Sequence, residues 1–203
     1  MGIVLQKTKL AEQLLEAMGA LFGSMRGGLA ISTILVGSLL AASTGVVGAS
    51  VIAMGVISLP VMLKHNYKKT LATGVICASG TLGQIIPPSI VLIILADVLG
   101  VPVGDLFKSA ITPSLVLVGS YIIYVFLISH FDKDSAPAIK NENTNATKMQ
   151  KYMLALRSII PPILLIVAVL GSIFSGIATP TESAAIGSAG SLLLALLYRR
   201  LNW

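Results

Sequence analysis

Charge is the first thing this sequence has little of. Aspartate, glutamate, lysine and arginine make up 11% of its 203 residues, against about 25% in an average soluble domain. A soluble fold of this length needs a polar exterior, and these charges cannot cover one. They are also clustered, leaving residues 27–63, 70–96, 109–131 and 158–181 without any. Each stretch is long enough for a bilayer span of roughly 20 residues, and a buried helix of a soluble core would not recur so often. Cysteine is nearly missing. Cys77 stands alone in an apolar run, which excludes an internal disulfide and a thiolate metal cluster and leaves packing as its role. The apolar runs hold no His/Asp/Glu pair, only hydroxyls without a base, and this argues against a membrane-embedded enzyme. The net charge of +6 is not a nucleic-acid signature, because the cations form no stripe interleaved with aromatics. They sit in short loops, where they act as topology signals. The start, Met1 to Lys7, lacks the charged, apolar and small-residue regions of a signal peptide.

What is present is apolar: 55% of the residues are hydrophobic. The expected fold is an all-α polytopic membrane protein. Residues 1–26 read as an arm, with an amphipathic helix over 3–22 in which Leu10, Leu14, Leu15, Met18, Leu21 and Phe22 repeat at helical spacing opposite Lys9, Glu12 and Glu16. Such a helix lies on the membrane, packs as a support arm, or is a plain surface helix. Residues 27–131 read as one transport segment. As a single helix, 27–63 would be about 55 Å long at 1.5 Å per residue, far more than the roughly 30 Å hydrocarbon core. Its middle, Leu40 to Gly48, is small and flexible. A helical hairpin over 29–63 is expected, re-entrant, with its tip at Ser43, Thr44 and Gly45.

The run 70–99 is interrupted by Ser79-Gly80-Thr81-Leu82-Gly83-Gln84-Ile85-Ile86-Pro87-Pro88-Ser89. Two glycines and two prolines in so short a segment do not sustain a regular helix. A broken helix is expected: one arm to about Ala78, an unwound piece, and a second arm from about Pro88 to Leu99. A span over 109–131 follows, then a polar linker over 132–157 with Asn141 to Asn145 at its centre, then two further spans within 158–203. Thr179-Pro180-Thr181-Glu182 has the form of a helix start, with a Thr cap, Pro at the first helical position and Glu three after the cap. With both roots of the hairpin in the cytoplasm, Arg26, the Lys64–Lys69 loop, the linker, Arg199 and Arg200 all fall inside, as the positive-inside rule requires.

The two breaks carry the chemical signal. Unwound backbone in hydrocarbon leaves polar groups unpaired at several kcal/mol each, and persists only where protein buries it or a cavity receives it. Each break opposes a helix C-terminus, suited to a cation, to a helix N-terminus, suited to an anion. Paired broken helices build midplane sites for carboxylates and Na⁺ in secondary transporters. Ser43, Thr44, Ser79, Thr81, Gln84 and Ser89 add oxygen ligands or hydrogen bonds, and oxygen suits an alkali cation. The plainer readings are close helix packing through small residues at the tip and a simple proline kink in the second run.

The stretches Gly28-Leu29-Ala30-Ile31-Ser32, Leu40-Ala41-Ala42-Ser43-Thr44-Gly45, Leu71-Ala72-Thr73-Gly74, Ala78 to Ser89, and Gly176 to Glu182 together resemble the large permease subunit of TRAP transporters, the dicarboxylate transporter M subunit. The resemblance runs in order along nearly the whole chain. It implies a sodium-driven importer of organic acids, C4-dicarboxylates or similar carboxylates, in the bacterial inner membrane. Its partners would be a periplasmic substrate-binding protein and a small membrane subunit, with Na⁺ as coupling ion and no cofactor. It implies an elevator built from inverted repeats, of which this chain supplies the first and the start of the second. Substrate contacts are expected at Ser43, Thr44, Gly45, Gln84, Pro88 and Ser89, and sodium contacts at Ser43, Gly45, Ser79, Gly80 and Thr81. Family members are about twice this length, so a fragment is expected, with a truncated, non-transporting remnant or assembly partner as the alternative.

Overall fold

The computed structural model describes residues 10–23, 25–132, 134–138 and 148–197. The expectations for Met1 to Lys7, for Asn141 to Asn145, and for Arg199 and Arg200 lie outside the described residues. Secondary structure among the described residues is entirely helical, and two helices are long and apolar enough to cross a membrane, Val47–Lys64 and Val103–Phe131.

Helix α1, Leu10–Phe22, packs against α2, Gly28–Thr44, and against α7, Lys148–Phe174. Leu14, Leu15 and Met18 are buried in these contacts and Glu16 is exposed, so α1 packs into the bundle by its apolar face. Helices α2 and α3, Val47–Lys64, form the hairpin. The turn rests on Gly45, whose φ of 63° is left-handed, followed by an extended Val46. α2 is buried on nearly all sides. In α3, Ser50, Met54, Ser58 and Met62 repeat every fourth residue on the inner face, while Ile52 and Val56 are exposed. Serines and methionines alternate on the inner face and Ile52 and Val56 point out; the serines leave room for neighbours to approach closely.

Helix α4, Lys69–Thr81, packs against both hairpin arms. Two glycines make the fit: a Cβ on Gly37 would lie 2.6 Å from the Ser79 side chain, and one on Gly80 would lie 2.3 Å from Val51 Cγ2. The chain then turns through a 3-10 segment, Leu82–Gln84, and bends through Ile85 to Pro88 before α5, Ile90–Leu99. The break is present but narrower than expected. The first arm runs to Thr81, past Ala78, since Ser79 and Thr81 return their hydroxyls to the carbonyls of Ile76 and Ala78 and so stay helical. The second arm starts at Ile90, after Pro88, because Ser89 is the cap, its Oγ accepting from Leu92 N at 3.4 Å.

Helix α6, Val103–Phe131, begins before the expected position 109 and carries Asp105 in its first turn, where a carboxylate favours the helix dipole. The stretch 132–157 is not loop throughout, for α7 already begins at Lys148. Its polar start, Lys148 to Arg157, is made largely of good helix formers, so polarity there marks solvent and not irregular backbone. Helix α8, Pro180–Leu197, starts as expected. Thr179 N and Oγ1 each donate to Glu182 Oε2 at 2.8 Å, and Glu182 N donates back to Thr179 Oγ1 at 3.3 Å.

Candidate functional site at the hairpin tip

At the tip, Ser43 Oγ donates to the Leu40 carbonyl at 2.8 Å. Thr44 Oγ1 and Ser50 Oγ lie 2.6 Å apart and join the two arms across the turn, and each is also within reach of a carbonyl, Ala41 at 3.3 Å and Val46 at 3.0 Å. A hydroxyl has one proton and two lone pairs. With their protons held by carbonyls or by each other, these oxygens keep lone pairs for a cation or an N–H.

The break reaches the tip from the side. A Cβ on Gly83 would stand 2.9 Å from the Ala41 carbonyl oxygen, and one on Gly45 would stand 3.4 Å from the Pro88 carbonyl oxygen. Ser89 is fully buried and donates to the Gln84 carbonyl at 2.6 Å, closing the unwound piece on itself. Tip and break share a cavity of about 260 Å³, lined on one side by Ser43, Thr44, Gly45, Pro88, Ser89 and Ile90. Among the described residues, no charged side chain lines it. Its polarity comes from hydroxyls and helix ends: the C-terminus of α2 and the N-termini of α5 and α8 all border it.

The cavity therefore gathers five of the expected residues, Ser43, Thr44, Gly45, Pro88 and Ser89. Ser79 and Gly80 lie elsewhere, in the seams between α4 and the hairpin arms, and Thr81 and Gln84 are exposed. The far wall was not expected. Phe107 of α6, Val169 and Ile173 of α7, and Ala184, Gly187 and Ser188 of α8 complete the enclosure. The signal available for α8 is the recurrence of small residues at helical spacing from Ser183 to Ser191, which marks a close contact face without saying what meets it.

A larger open groove, about 1080 Å³, runs between α4 and α6 toward the roots of the hairpin. At that end Lys68 pairs with Asp132, and Ser135 Oγ donates to Asp132 Oδ2 at 2.6 Å. The Lys68 hydrogen bond, with help from Ser135, holds the Asp132 carboxyl at about 2, well below the usual carboxylate range. Gly27 N donates to the Ala136 carbonyl and Lys68 N to the Ser135 carbonyl, at 3.0 and 3.1 Å, so the segment after α6 is tied to both roots.

Residues 1–203 match the family model for the tripartite ATP-independent periplasmic transporter, DctM component. Among the curated relatives, the C4-dicarboxylate TRAP transporter large permease protein DctM of Pseudomonas aeruginosa is 34% identical over 191 residues, 94% of this chain and 43% of that protein. The protein of the same description from Vibrio cholerae is 36% identical, over 94% of this chain and 41% of its own length. The ectoine TRAP transporter large permease protein TeaC of Halomonas elongata is 30% identical, over 90% of this chain and 41% of its own length. The chain thus spans less than half the length of these relatives.

Proposed function

The chain belongs to the DctM family of tripartite ATP-independent periplasmic transporter components, and from that membership we propose that it forms the membrane permease part of a sodium-driven, binding-protein-dependent importer of organic acids. The three relatives above are described as TRAP transporter large permease proteins. The observation that carries the reading is the meeting of hairpin tip and helix break at one uncharged cavity. A carboxylate would face the N-terminal end of α5 at Pro88 and Ser89, with Thr44, Gly45 and Gln84 contributing as the tip and break adjust. Sodium, carried as cargo, would take oxygens of Ser43 and Gly45, with Ser79, Gly80 and Thr81 offering carbonyls from the end of α4. The hairpin is proposed as re-entrant, and the tip and break as half of an inverted-repeat elevator. The protein would sit as a multi-pass chain in the bacterial inner membrane with the Lys68 end in the cytoplasm. Its partners would be a small membrane subunit and a periplasmic binding protein, and its substrates C4-dicarboxylates or similar carboxylates. A second reading is that residues 1–203 by themselves supply half a site, or an assembly surface, and do not transport.

Hydrogen exchange on the purified chain in nanodiscs tests the site. With succinate and NaCl together, residues 42–50 and 82–92 should be protected. Equal protection with succinate in KCl would remove sodium from the proposal, and no protection under either salt would leave the second reading.

A further inference from the structure

Helix α6 touches the site at two points. Phe107 lines the cavity. Ser114, seven residues on and so about two turns along the same face, is 3% exposed and reaches the unwound segment. Its Oγ lies 3.0 Å from the Ile85 carbonyl oxygen and 2.6 Å from its own helix's Ala110 carbonyl oxygen. The rest of the segment is held by bonds within itself, from Ile85 N and Ile86 N to the Leu82 carbonyl and from Ser89 Oγ to the Gln84 carbonyl.

A serine hydroxyl has a single proton to offer two carbonyls. Serines inside helices ordinarily return it to the carbonyl four residues back, as Ser109 does to Asp105 and Ser120 to Val116. Ser114 has that choice and a second acceptor on the break. Ser114 itself is buried, while both of its bonds are part-buried. We propose that Ser114 is a positioning residue, a latch whose one proton alternately ties the Ile85 carbonyl to α6 and releases it to Ala110. Tied, the break holds Pro88 and Ser89 against the hairpin tip. Released, the segment shifts without loss of any other bond on α6. The positioning of Pro88 and Ser89 matters for transport only on the proposed function; the latch itself does not depend on it.

The test is hydrogen exchange of the purified chain in nanodiscs, first without ligand. In Ser114→Ala, exchange across residues 82–92 should quicken about tenfold while residues 28–44 keep their rate. Ser114→Thr retains the hydroxyl and should restore the slow rate, and Ser120→Ala should match the parent chain. With succinate present, the NaCl needed to protect residues 42–50 should rise about tenfold in Ser114→Ala and recover in Ser114→Thr. Unchanged exchange at 82–92 in Ser114→Ala overturns the latch. So does equal quickening of 28–44 and 82–92 without recovery in Ser114→Thr, which would make Ser114 a packing contact. Should Ser114→Ala fail to fold, Ser114→Cys, a weak donor of similar size, takes its place: faster exchange confined to 82–92 supports the latch, and parental exchange overturns it. Quickening in the absence of ligand, with no protection by succinate and NaCl in the parent chain, retains the latch and sinks the transport reading.

Discussion

The hairpin's two ends are held by different chemistry. At its roots, Lys68 and Asp132 form an exposed ion pair backed by the buried Ser135, and main-chain bonds from Gly27 and Lys68 tie in the segment after α6. At its tip the described residues carry no charge. Hydroxyls bridge Thr44 to Ser50, Ser89 to Gln84 and Ser114 to Ile85, and glycines bring backbones into contact. Water supports the charged end, where an exposed ion pair is worth little. The tip is surrounded by apolar helices, where an unpaired charge is costly and neutral donors serve instead. The difference also separates their uses. The root cluster consumes its own polar groups, whereas the tip leaves lone pairs and helix ends facing a cavity.

Substitution at the glycine seams should give the largest effect on stability. Gly80→Ala places a methyl group 2.3 Å from Val51 Cγ2 and 3.0 Å from its backbone, and overpacking of this kind costs about 1–3 kcal/mol. Gly74, on the same helix, has open space where a Cβ would stand, with nothing within 4 Å, so Gly74→Ala should stabilise by about 0.5–1 kcal/mol. Thermal unfolding of both variants in one detergent would show opposite shifts. Equal shifts would mean that the α3–α4 seam is looser than these distances imply.

At the tip, truncating Ser43 or Thr44 to Ala should raise the sodium requirement for succinate protection by roughly ten- to a hundred-fold, the equivalent of a lost bond to a charged group of about 1.5–3 kcal/mol. Ser79→Ala and Thr81→Ala delete hydroxyls already given to Ile76 and Ala78 but keep the carbonyls proposed for the end of α4, so each should raise the requirement less than Ser43→Ala. Ser120→Ala, on an exposed face of α6, should leave it unchanged. A larger shift at Ser120 than at Ser43 and Thr44 would reduce the tip to a packing turn. The Thr44–Ser50 pair itself should couple by about 0.6 kcal/mol in a double-mutant cycle of stability, the usual size of a hydrogen bond between membrane helices.

The smallest effect belongs to the roots. Because the Asp132 carboxyl is held down to about 2 in the folded chain, its contribution to stability is complete above its ordinary value near 4 and is lost as pH falls toward 2. Between pH 5 and 8 Asp132 should not titrate. Asp132→Asn should therefore lower the melting temperature slightly and by the same amount across that range, and the difference from the parent should close below pH 4. A difference that varies between pH 6 and 8 would point to another group.

The hairpin and the break are legible in the residues alone because their signals are local. An uncharged run too long for one span and too short for two must turn, and Gly45 stands where it does. Pro87 and Pro88 interrupt the helix in company with Gly80 and Gly83, whereas Pro161 and Pro162 are carried inside α7. The exact arms are less legible, since the hydroxyls of Ser79 and Thr81 extend α4 past the point where composition alone would stop it. The role of Thr179 and Glu182 as a helix start can be read directly, because a capping box closes within a single turn.

By itself, then, the sequence determined membrane residence, helical class, the turn at Gly45 and the interruption before Ser89. Each follows from short-range rules of solvation and backbone geometry that act over a few residues. Only the tertiary structure decided that Ser43 and Thr44 would meet Pro88 and Ser89 at one cavity, that Ser79 and Gly80 would be spent on seams with Gly37 and Val51, and that α6, α7 and α8 would wall the site. Those outcomes depend on which helix faces approach one another, and small residues permit close approach without naming the partner.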